Sequence, residues 1–254
     1  MSAERLTADL RDGVFWLTLN RPDKRNAIDS AMVDAFHERL DQADLDAHVR
    51  VVALRGAGKD FCAGADLAEL QASAEGSLAD NERAAQRLGD VFVRMRALPK
   101  PVVAVVHGRA LAGGCGLATA CDVVLAHADA TFGYPEVRRG FVPAMVMAML
   151  RRAVGEKLAF DLVTTGRLLT ADEARALGLV ARVYAGKVFE SSVEEFVTDL
   201  AQRSPSALAF IKQQLYAIDG LSFAEAIAMG AKVNAMARTT PDFKQAVARF
   251  LEKS

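Results

Sequence analysis

The stretch that most limits what this chain can fold into is Gly108–Glu136, in which apolar runs surround a glycine-rich turn. The run Val102–Val106 leads into small residues and then into Gly113-Gly114-Cys115-Gly116. This pattern predicts a buried strand, a tight turn and the first turn of a helix. The unpaired N–H groups and the positive dipole end of such a helix would stabilise negative charge on a ligand.

A single carboxylate closes the same stretch. After the apolar run Val123–Ala126, the residues Gly133-Tyr134-Pro135 place Glu136 on a turn that the proline ring stiffens. Apolar neighbours would raise the pKa of this carboxyl toward the range useful for proton transfer. A surface glutamate in a turn is the other interpretation, and the residues alone leave both open. An anion-stabilising turn beside a carboxylate suggests enolate chemistry.

A second loop repeats the arrangement of apolar strand, small residues and helix start. Phe61-Cys62-Ala63-Gly64-Ala65-Asp66 follows the apolar run Val51–Leu54. Two such loops could direct two backbone N–H donors at one carbonyl oxygen, as an oxyanion hole requires. The alternative is that small residues only permit close packing of helix on strand, and the repetition favours function. Asp66 is expected to cap the next helix, and Glu69 faces either the same site or solvent.

Composition excludes several classes of function. The 254 residues carry a net charge of −1, which gives no electrostatic basis for binding nucleic acid or an anionic membrane. No apolar run is long enough to span a bilayer, and the histidines show no metal-ligand spacing. The three cysteines form no CxxC pair and no even disulfide set. They predict a reduced, cytoplasmic protein, in which Cys62 or Cys115 fills space rather than acting as a nucleophile.

The order of strand and helix signals predicts an α/β core followed by helices. Strand signals end near Tyr184, and we expect a core over residues 1–195 and a helical region over residues 196–254. Helices such as these pack either on a neighbouring subunit or on the chain's own core. Within the core, the polar segment Ser73–Asn81 suggests a surface connection before a helix that begins at Arg83.

Four motifs in sequence order identify a resemblance. LNRPDKRNAID, FCAGADLAEL, the Gly113 stretch and FGYPEV together resemble the enoyl-CoA hydratase/isomerase (crotonase) family across about residues 10–185. The resemblance implies a spiral of ββα units with a C-terminal helical region used in assembly. It also implies trimers or dimers of trimers and an acyl-CoA thioester as ligand, with coenzyme A as part of the substrate and no separate cofactor.

The resemblance also implies roles for individual residues. Ala65 and Gly113 match the residues whose N–H groups hold the thioester oxygen, and Glu136 matches one of the two glutamates that hydratases use. Gly116 stands where the family has the other glutamate, and we place it with the substrate-binding residues. The segments that surround coenzyme A in the family are matched here by Arg25, Ala27, Ala63, Asp66 and Leu67.

The missing glutamate leaves a choice of reaction. Hydration of a 2-enoyl-CoA is the function we expect, with Glu136 as the single acid/base. Migration of a double bond needs only one base and is the alternative, and decarboxylation or thioester hydrolysis is a more distant one. Glu69 or the Tyr134 hydroxyl could replace the missing acid if either points inward. A protein that only binds acyl-CoA is the candidate from a different functional class.

The methionines after Pro143 are the second departure from the family pattern. The family's glycine-rich stretch is replaced here by Ala144–Leu150, which contains three methionines. If these residues line the acyl pocket, that pocket should be apolar and adaptable.

Overall fold

The computed structural model describes residues 4–252, which form two β-sheets and a series of helices. The strands are β1 (Leu6–Arg11), β2 (Val14–Leu19), β3 (Val51–Gly56), β4 (Val102–Val106), β5 (Arg109–Leu111), β6 (Val123–His127), β7 (Thr131–Gly133), β8 (Leu168–Thr170) and β9 (Arg182–Tyr184). The helices are α1 (Ser30–Leu45), α2 (Leu67–Ser73), α3 (Leu78–Ala97), α4 (Gly113–Ala120), α5 (Met147–Val154), α6 (Glu156–Thr165), α7 (Ala171–Ala176), α8 (Phe189–Ala201), α9 (Pro205–Ala217), α10 (Phe223–Ala237) and α11 (Pro241–Glu252).

The larger sheet has the order β1-β2-β3-β4-β6-β9, and the smaller sheet has the order β5-β7-β8. In the larger sheet β1 and β2 pair antiparallel, and every other neighbouring pair is parallel. β4 and β5 are separated only by His107 and Gly108, so the chain passes at once from one sheet to the other. This repeated movement from strand to strand to helix produces the spiral that the family resemblance implies.

Alternating residues of the larger sheet bury both of its faces, as expected for a mostly parallel sheet. On β2, Phe15 and Leu17 pack into the core formed with α1, α3 and α4, whereas Val14 and Trp16 face α8. The face toward α8 is closed by Phe189, Val193, Val197 and Ala201.

The first hairpin was not predicted, although the sequence carries its signal. Asp12 and Gly13 join β1 to β2 with φ values of 52° and 78°, as in a two-residue hairpin turn. The Asp-Gly pair between alternating strands indicates such a turn.

Several helices begin at capping residues, and one predicted helix boundary is wrong. Asp29 caps α1, and the Thr170 and Ser222 capping boxes begin α7 and α10. The expected connection over Ser73–Asn81 is shorter, because α3 begins at Leu78 rather than at Arg83. Its N-cap is Ser77, whose Oγ accepts a hydrogen bond from Asp80 N at 3.1 Å. Polar residues that cap a helix resemble a surface loop in sequence.

A buried ion pair attaches the C-terminal helices to the core. Lys212 is the buried residue of α9, and its Nζ lies 2.8 Å from Asp122 Oδ2. The same Nζ donates to the carbonyls of Met95 and Lys100, while Tyr216 donates to Asp122 Oδ1 at 2.6 Å. Removing one partner of such a pair costs about 3–5 kcal/mol, so this contact fixes where α9 sits.

Over residues 4–252, no helix combines the length and the apolar character needed to cross a bilayer. Within the same residues, no three histidine, cysteine or acidic side chains converge as a metal site would require.

Candidate active site

The two small-residue loops lie against each other through backbone hydrogen bonds and an ion pair. Cys62 N donates to Arg109 O at 3.0 Å, and Leu111 N donates to Cys62 O at 2.9 Å. The Arg109 guanidinium holds both oxygens of Asp60, each at 2.7 Å. This bidentate pair, with Arg109 donating the hydrogen bonds, keeps the pKa of Asp60 below its ordinary value. The loop before Ala65 is therefore fixed to the strand that leads into Gly113.

Glycine is required at two points where these loops touch. A Cβ atom on Gly114 would lie 2.3 Å from Cys62 O, which leaves no room for a side chain. Gly64 has a φ of +100°, and a Cβ there would lie 2.8 Å from Ala112 Cβ. The two backbones thus approach to a distance that larger residues would prevent.

Where the two loops meet, the backbone N–H groups of Ala65 and Gly113 are unpaired, and we call this place the amide corner. A Cβ atom built on Gly113 would lie 3.9 Å from Ala65 N, so these two residues are neighbours in space. Among the contacts of residues 4–252, neither Ala65 N nor Gly113 N donates a hydrogen bond within the protein. Both residues are partly exposed, and both N–H groups can therefore bind a ligand oxygen.

Strained backbone precedes one of these amides. Ala112, the N-cap of α4, has φ 52° and ψ −129°. This conformation costs a residue with a Cβ about 1–3 kcal/mol and is concentrated at functional sites. The hydrogen bond from Ala112 N to Gly133 O, at 2.8 Å, holds it in place.

Glu136 lies at the same edge of the smaller sheet as Gly113. β5 and β7 are parallel neighbours, with Leu111 opposite Gly133. The chain continues from Leu111 into Gly113 and from Gly133 into Glu136, so both follow the carboxyl ends of adjacent strands. Gly113 and Glu136 therefore lie at one edge of the smaller sheet.

The Glu136 carboxylate is buried without a complete set of partners. Its residue is 8% exposed, and Oε2 has no hydrogen-bond partner within the described part of the chain. Burial raises the pKa of this carboxyl above its ordinary value, because the charged form loses water. A buried, unpaired carboxylate with a raised pKa is typical of a proton-transfer group.

Neither residue suggested as a substitute acid is free to act. Glu69 accepts hydrogen bonds from Ser30 N at 2.8 Å and from Ser30 Oγ at 3.0 Å, so it caps α1 instead of facing the site. Tyr134 is fully buried, and its hydroxyl lies 2.7 Å from Thr119 Oγ1. Neither Glu69 nor Tyr134 therefore replaces the glutamate that is missing at position 116.

The buried cysteines are protonated at neutral pH. Burial raises the pKa of Cys62 to about 12 and that of Cys115 to about 11. A thiol is a poor nucleophile compared with a thiolate, which agrees with the expectation that these residues fill space.

The residues matched to coenzyme A binding lie on segments joined by backbone hydrogen bonds. Ala63 N donates to Arg25 O at 3.0 Å, so the loop that carries Arg25 borders the amide corner. Arg25 and Leu67 are exposed, whereas Ala27 and Ala63 are partly buried. Asp66 accepts from Ala68 N at 2.9 Å as a helix cap, which confirms its predicted structural role.

Two residues that sequence reasoning missed hold these segments. Arg21 donates to Ala27 O at 2.6 Å and to Asp66 Oδ2 at 2.8 Å. Asn26 is fully buried, with a φ of 55°, and its amide reaches Ala57 O and the Arg21 N–H. The sequence held a signal for this role, because Arg21 and Asn26 lie in and just after a polar turn, where such side chains often bond to nearby backbone groups.

Gly116 faces an apolar side chain that the sequence did not indicate. A Cβ atom on Gly116 would lie 2.1 Å from Val146 Cγ1 and 3.9 Å from the Phe92 ring. Val146 is 4% exposed and belongs to the segment just before α5. Any longer residue at position 116 therefore requires Val146 to move.

Comparison with known proteins agrees with this geometry. Residues 9–254 match the family model described as enoyl-CoA hydratase/isomerase. The chain belongs to this family. A protein from Thermus thermophilus named as an enoyl-CoA hydratase is 43% identical over 92% of this chain and 93% of its own length. The 2,3-dehydroadipyl-CoA hydratase of Escherichia coli is 35% identical over 94% of this chain and 92% of its own length.

A solved structure supports the fold of this family member. An enoyl-CoA hydratase from Mycobacterium smegmatis superimposes with a TM-score of 0.93 at 37% identity, covering 98% of this chain and 96% of the other. The fold is thus the crotonase spiral, and the amide corner and the buried carboxylate lie within it.

The backbone geometry predicts that alanine is tolerated at position 113 and not at position 64. Gly64→Ala should lower the free energy of unfolding by at least about 1–2 kcal/mol, because its φ is left-handed and its Cβ would clash. Gly113→Ala should leave that free energy nearly unchanged, because the nearest non-local atoms among residues 4–252, Ala65 N and Gly64 Cα, lie 3.9 Å from the new Cβ. Urea denaturation measures both, and equal losses would contradict the described corner.

The unpaired carboxylate predicts a pH-dependent gain in stability from Glu136→Gln. Because the folded pKa is raised, the native state binds more protons than the unfolded state between the ordinary and the raised pKa. Wild-type stability therefore falls as the pH rises through that window, whereas glutamine stays neutral. The variant should melt higher than wild type at about pH 8 and equally at about pH 4. A difference that is constant with pH would show that Glu136 is not unpaired.

Proposed function

We propose that this enzyme catalyses the reversible hydration of a 2-enoyl-CoA thioester. In this proposal the N–H groups of Ala65 and Gly113 bind the thioester oxygen, and Glu136 is the single acid/base. The observation that carries the proposal is the pair of unpaired amides at one corner, beside a buried carboxylate without a partner on Oε2.

The amide corner stabilises the charge that develops during the reaction. When a nucleophile adds at C3 of the enoyl group, negative charge moves to the thioester oxygen and an enolate forms. Two fixed N–H donors stabilise that oxygen more strongly than the neutral carbonyl, and loss of one such donor typically costs about 3–4 kcal/mol. The donors need no reorganisation, because backbone hydrogen bonds and the Asp60–Arg109 pair hold both loops.

Glu136 moves the protons. As a carboxylate it takes one proton from a water molecule, whose oxygen then forms the bond to C3. The enolate collapses when a proton returns from Glu136 to C2, so the carboxylate is regenerated and one water has been added. Burial raises the pKa of Glu136 toward neutral pH, and near its pKa a single carboxyl group can both accept and donate a proton.

Migration of a double bond from C3 to C2 is the second candidate, and Val146 favours it. Isomerisation needs only that one base remove a proton from C2 and return it to C4. Val146 occupies the space beside Gly116 that a second carboxylate would need. Hydration with one acid/base is slowed by about 100- to 10,000-fold relative to a two-acid site rather than prevented.

The remaining candidates have less support. Decarboxylation or thioester hydrolysis could use the same amide corner, but no described feature selects either. A protein that only bound acyl-CoA would have no reason to keep an unpaired buried carboxylate, which destabilises the fold. Glu136 therefore supports catalysis over simple binding.

The coenzyme A portion is assigned to the surface around Arg25, Ala27, Ala63, Asp66 and Leu67. Exposed Arg25 offers a cation for phosphate groups, and exposed Leu67 offers apolar contact. Coenzyme A enters as part of the substrate, and the proposed reaction uses no further cofactor. The three buried, unpaired thiols support a reducing, cytoplasmic setting.

The helical region is assigned to assembly, as a trimer or a dimer of trimers. α10 and α11 bury none of their described residues within the chain. Large apolar side chains are exposed there, including Phe223 at 83% and Leu251 at 67%. Exposed apolar surface of this kind typically marks an interface between subunits.

Offering the protein 2-enoyl-CoA and 3-enoyl-CoA separately distinguishes the two reactions. Mass spectrometry should show addition of one water to the 2-enoyl thioester. An isobaric product from the 3-enoyl thioester alone would favour isomerisation instead. Glu136→Gln should reduce turnover by at least about 100-fold while acyl-CoA binding survives.

Glu69→Gln is the matched control, because this carboxylate caps α1 and should change stability but not turnover. Equal activity of Glu136→Gln and wild type would remove Glu136 from the mechanism. Absence of both turnover and acyl-CoA binding would overturn the proposed function.

The assembly proposal predicts a solution mass of three or six times the chain mass of 27.2 kDa. Light scattering coupled to gel filtration measures it. Phe223→Asp, on the exposed face of α10, should shift the mass toward the monomer. A wild-type monomer at micromolar concentration would contradict the assignment.

A further inference from the structure

Val146 stands against the helix face that carries the amide corner. Gly116 lies one turn after Gly113 on α4, so the two residues share a face of the helix. A Cβ on a helix tilts toward the N-terminus, and the Val146 methyl lies only 2.1 Å from the Cβ position of Gly116. The Val146 side chain is therefore directed at the end of α4 where the thioester is assigned.

A groove lies behind this side chain. It runs between α3, α5 and α9, and its volume is about 440 Å³. Phe92 lines the groove and is also 3.9 Å from the Cβ position of Gly116, so one layer of side chains separates the groove from Gly116. The apolar part of its lining also includes Gly89, Val93, Met145 and Met149.

The geometry points to Val146 as the residue that limits the length of the acyl chain. This inference rests on the proposed function, since it assumes that the thioester oxygen is held by Ala65 and Gly113. In wild type, Val146 and Phe92 close the acyl pocket, so short acyl chains fit best. Removal of that wall would join the pocket to the groove behind it.

The two ends of the substrate leave the corner in different directions. The coenzyme A portion is assigned to the surface that bears Arg25 and Leu67, both exposed. The reacting carbons are assigned to the space between the amides and Glu136, and Val146 lies beside Gly116, one helical turn beyond Gly113 on α4. The hydrocarbon tail therefore extends toward Val146, where the surrounding side chains are apolar.

The chemistry of the groove fits a hydrocarbon and not an anion. Its floor is apolar, and the charged residues at its rim already have partners. Arg152 pairs with Asp219 at 2.5 Å, and the Arg96 guanidinium lies 3.7 Å from the centre of the Tyr216 ring. Both cations therefore already interact with groups of the protein.

Binding of saturated acyl-CoA esters tests the inference without depending on turnover. Butyryl-CoA and decanoyl-CoA are titrated calorimetrically into wild type, Val146→Ala and Val93→Ala. In Val146→Ala the affinity for decanoyl-CoA, relative to butyryl-CoA, should rise by about tenfold, which corresponds to burying about two more methylene groups. Val93→Ala is the matched control, because Val93 lines the groove at 64% exposure without forming the wall.

The outcomes separate the inference from the function on which it rests. If Val146→Ala does not fold, as judged by its thermal melt, Phe92→Leu opens the same wall from the groove side. An unchanged preference in the folded wall variant, or an equal change in Val93→Ala, would overturn the inference. Failure of wild type to bind either ester would overturn the proposed function itself.

Discussion

The close contact between two backbone segments is the constraint on which this structure depends. Residues 57–66 and 108–114 belong to different turns of the spiral, and each would form an ordinary loop alone. Cys62 exchanges hydrogen bonds with Arg109 and Leu111, and glycine at position 114 lets the Cys62 carbonyl approach the helix end. Within residues 4–252, the N–H groups of Ala65 and Gly113 donate no hydrogen bond to the protein. The proposed function assigns these two N–H groups to a ligand oxygen.

The buried carboxylate of Glu136 is an unpaired acceptor, just as the two amides are unpaired donors. Glu136 is buried, and no residue in the described part of the chain donates a hydrogen bond to its Oε2. An unpaired buried acid weakens the fold, and a protein selected only for stability would replace it. The strained Ala112 backbone lies at the same edge of the smaller sheet, so two destabilising features occur at one place. This coincidence is what a site built for chemistry rather than for packing would show.

The sequence contained most of the local signals and few of the long-range ones. The strands Val14–Leu19 and Val102–Val106 and the caps Asp29, Thr170 and Ser222 could be predicted, because apolar runs and capping residues act within a few positions. The glycine corner and Glu136 could also be placed, since each follows a strand.

Contacts between distant segments could not be read in this way. Lys212 pairs with Asp122 across the fold, and Glu69 turns to Ser30 instead of the site. The packing of Val146 on Gly116 depends on how α4 and α5 meet, which no local pattern specifies. The missing carboxylate is visible in sequence, but the residue that fills its space is visible only in three dimensions.

The candidate site therefore has two parts: the backbone loops that carry Ala65 and Gly113, and a group of side chains that includes Val146 and Phe92. The amide corner is held by backbone contacts and leaves little freedom to change. The opposite wall, formed by Val146 and Phe92, consists of side chains whose size can change without disturbing that corner. Under the proposed function, the Val146 and Phe92 side chains would set the acyl-chain preference, and the two loops would hold the thioester oxygen.

The carbonyl stretch of a bound thioester measures the central claim directly. Infrared difference spectroscopy with butyryl-CoA labelled with ¹³C at the carbonyl isolates that vibration. In the proposed complex, hydrogen bonds from Ala65 N and Gly113 N polarise the carbonyl, and the band of the bound ester should lie at lower frequency than in water. A bound ester whose carbonyl band stays at its solution frequency would contradict the account.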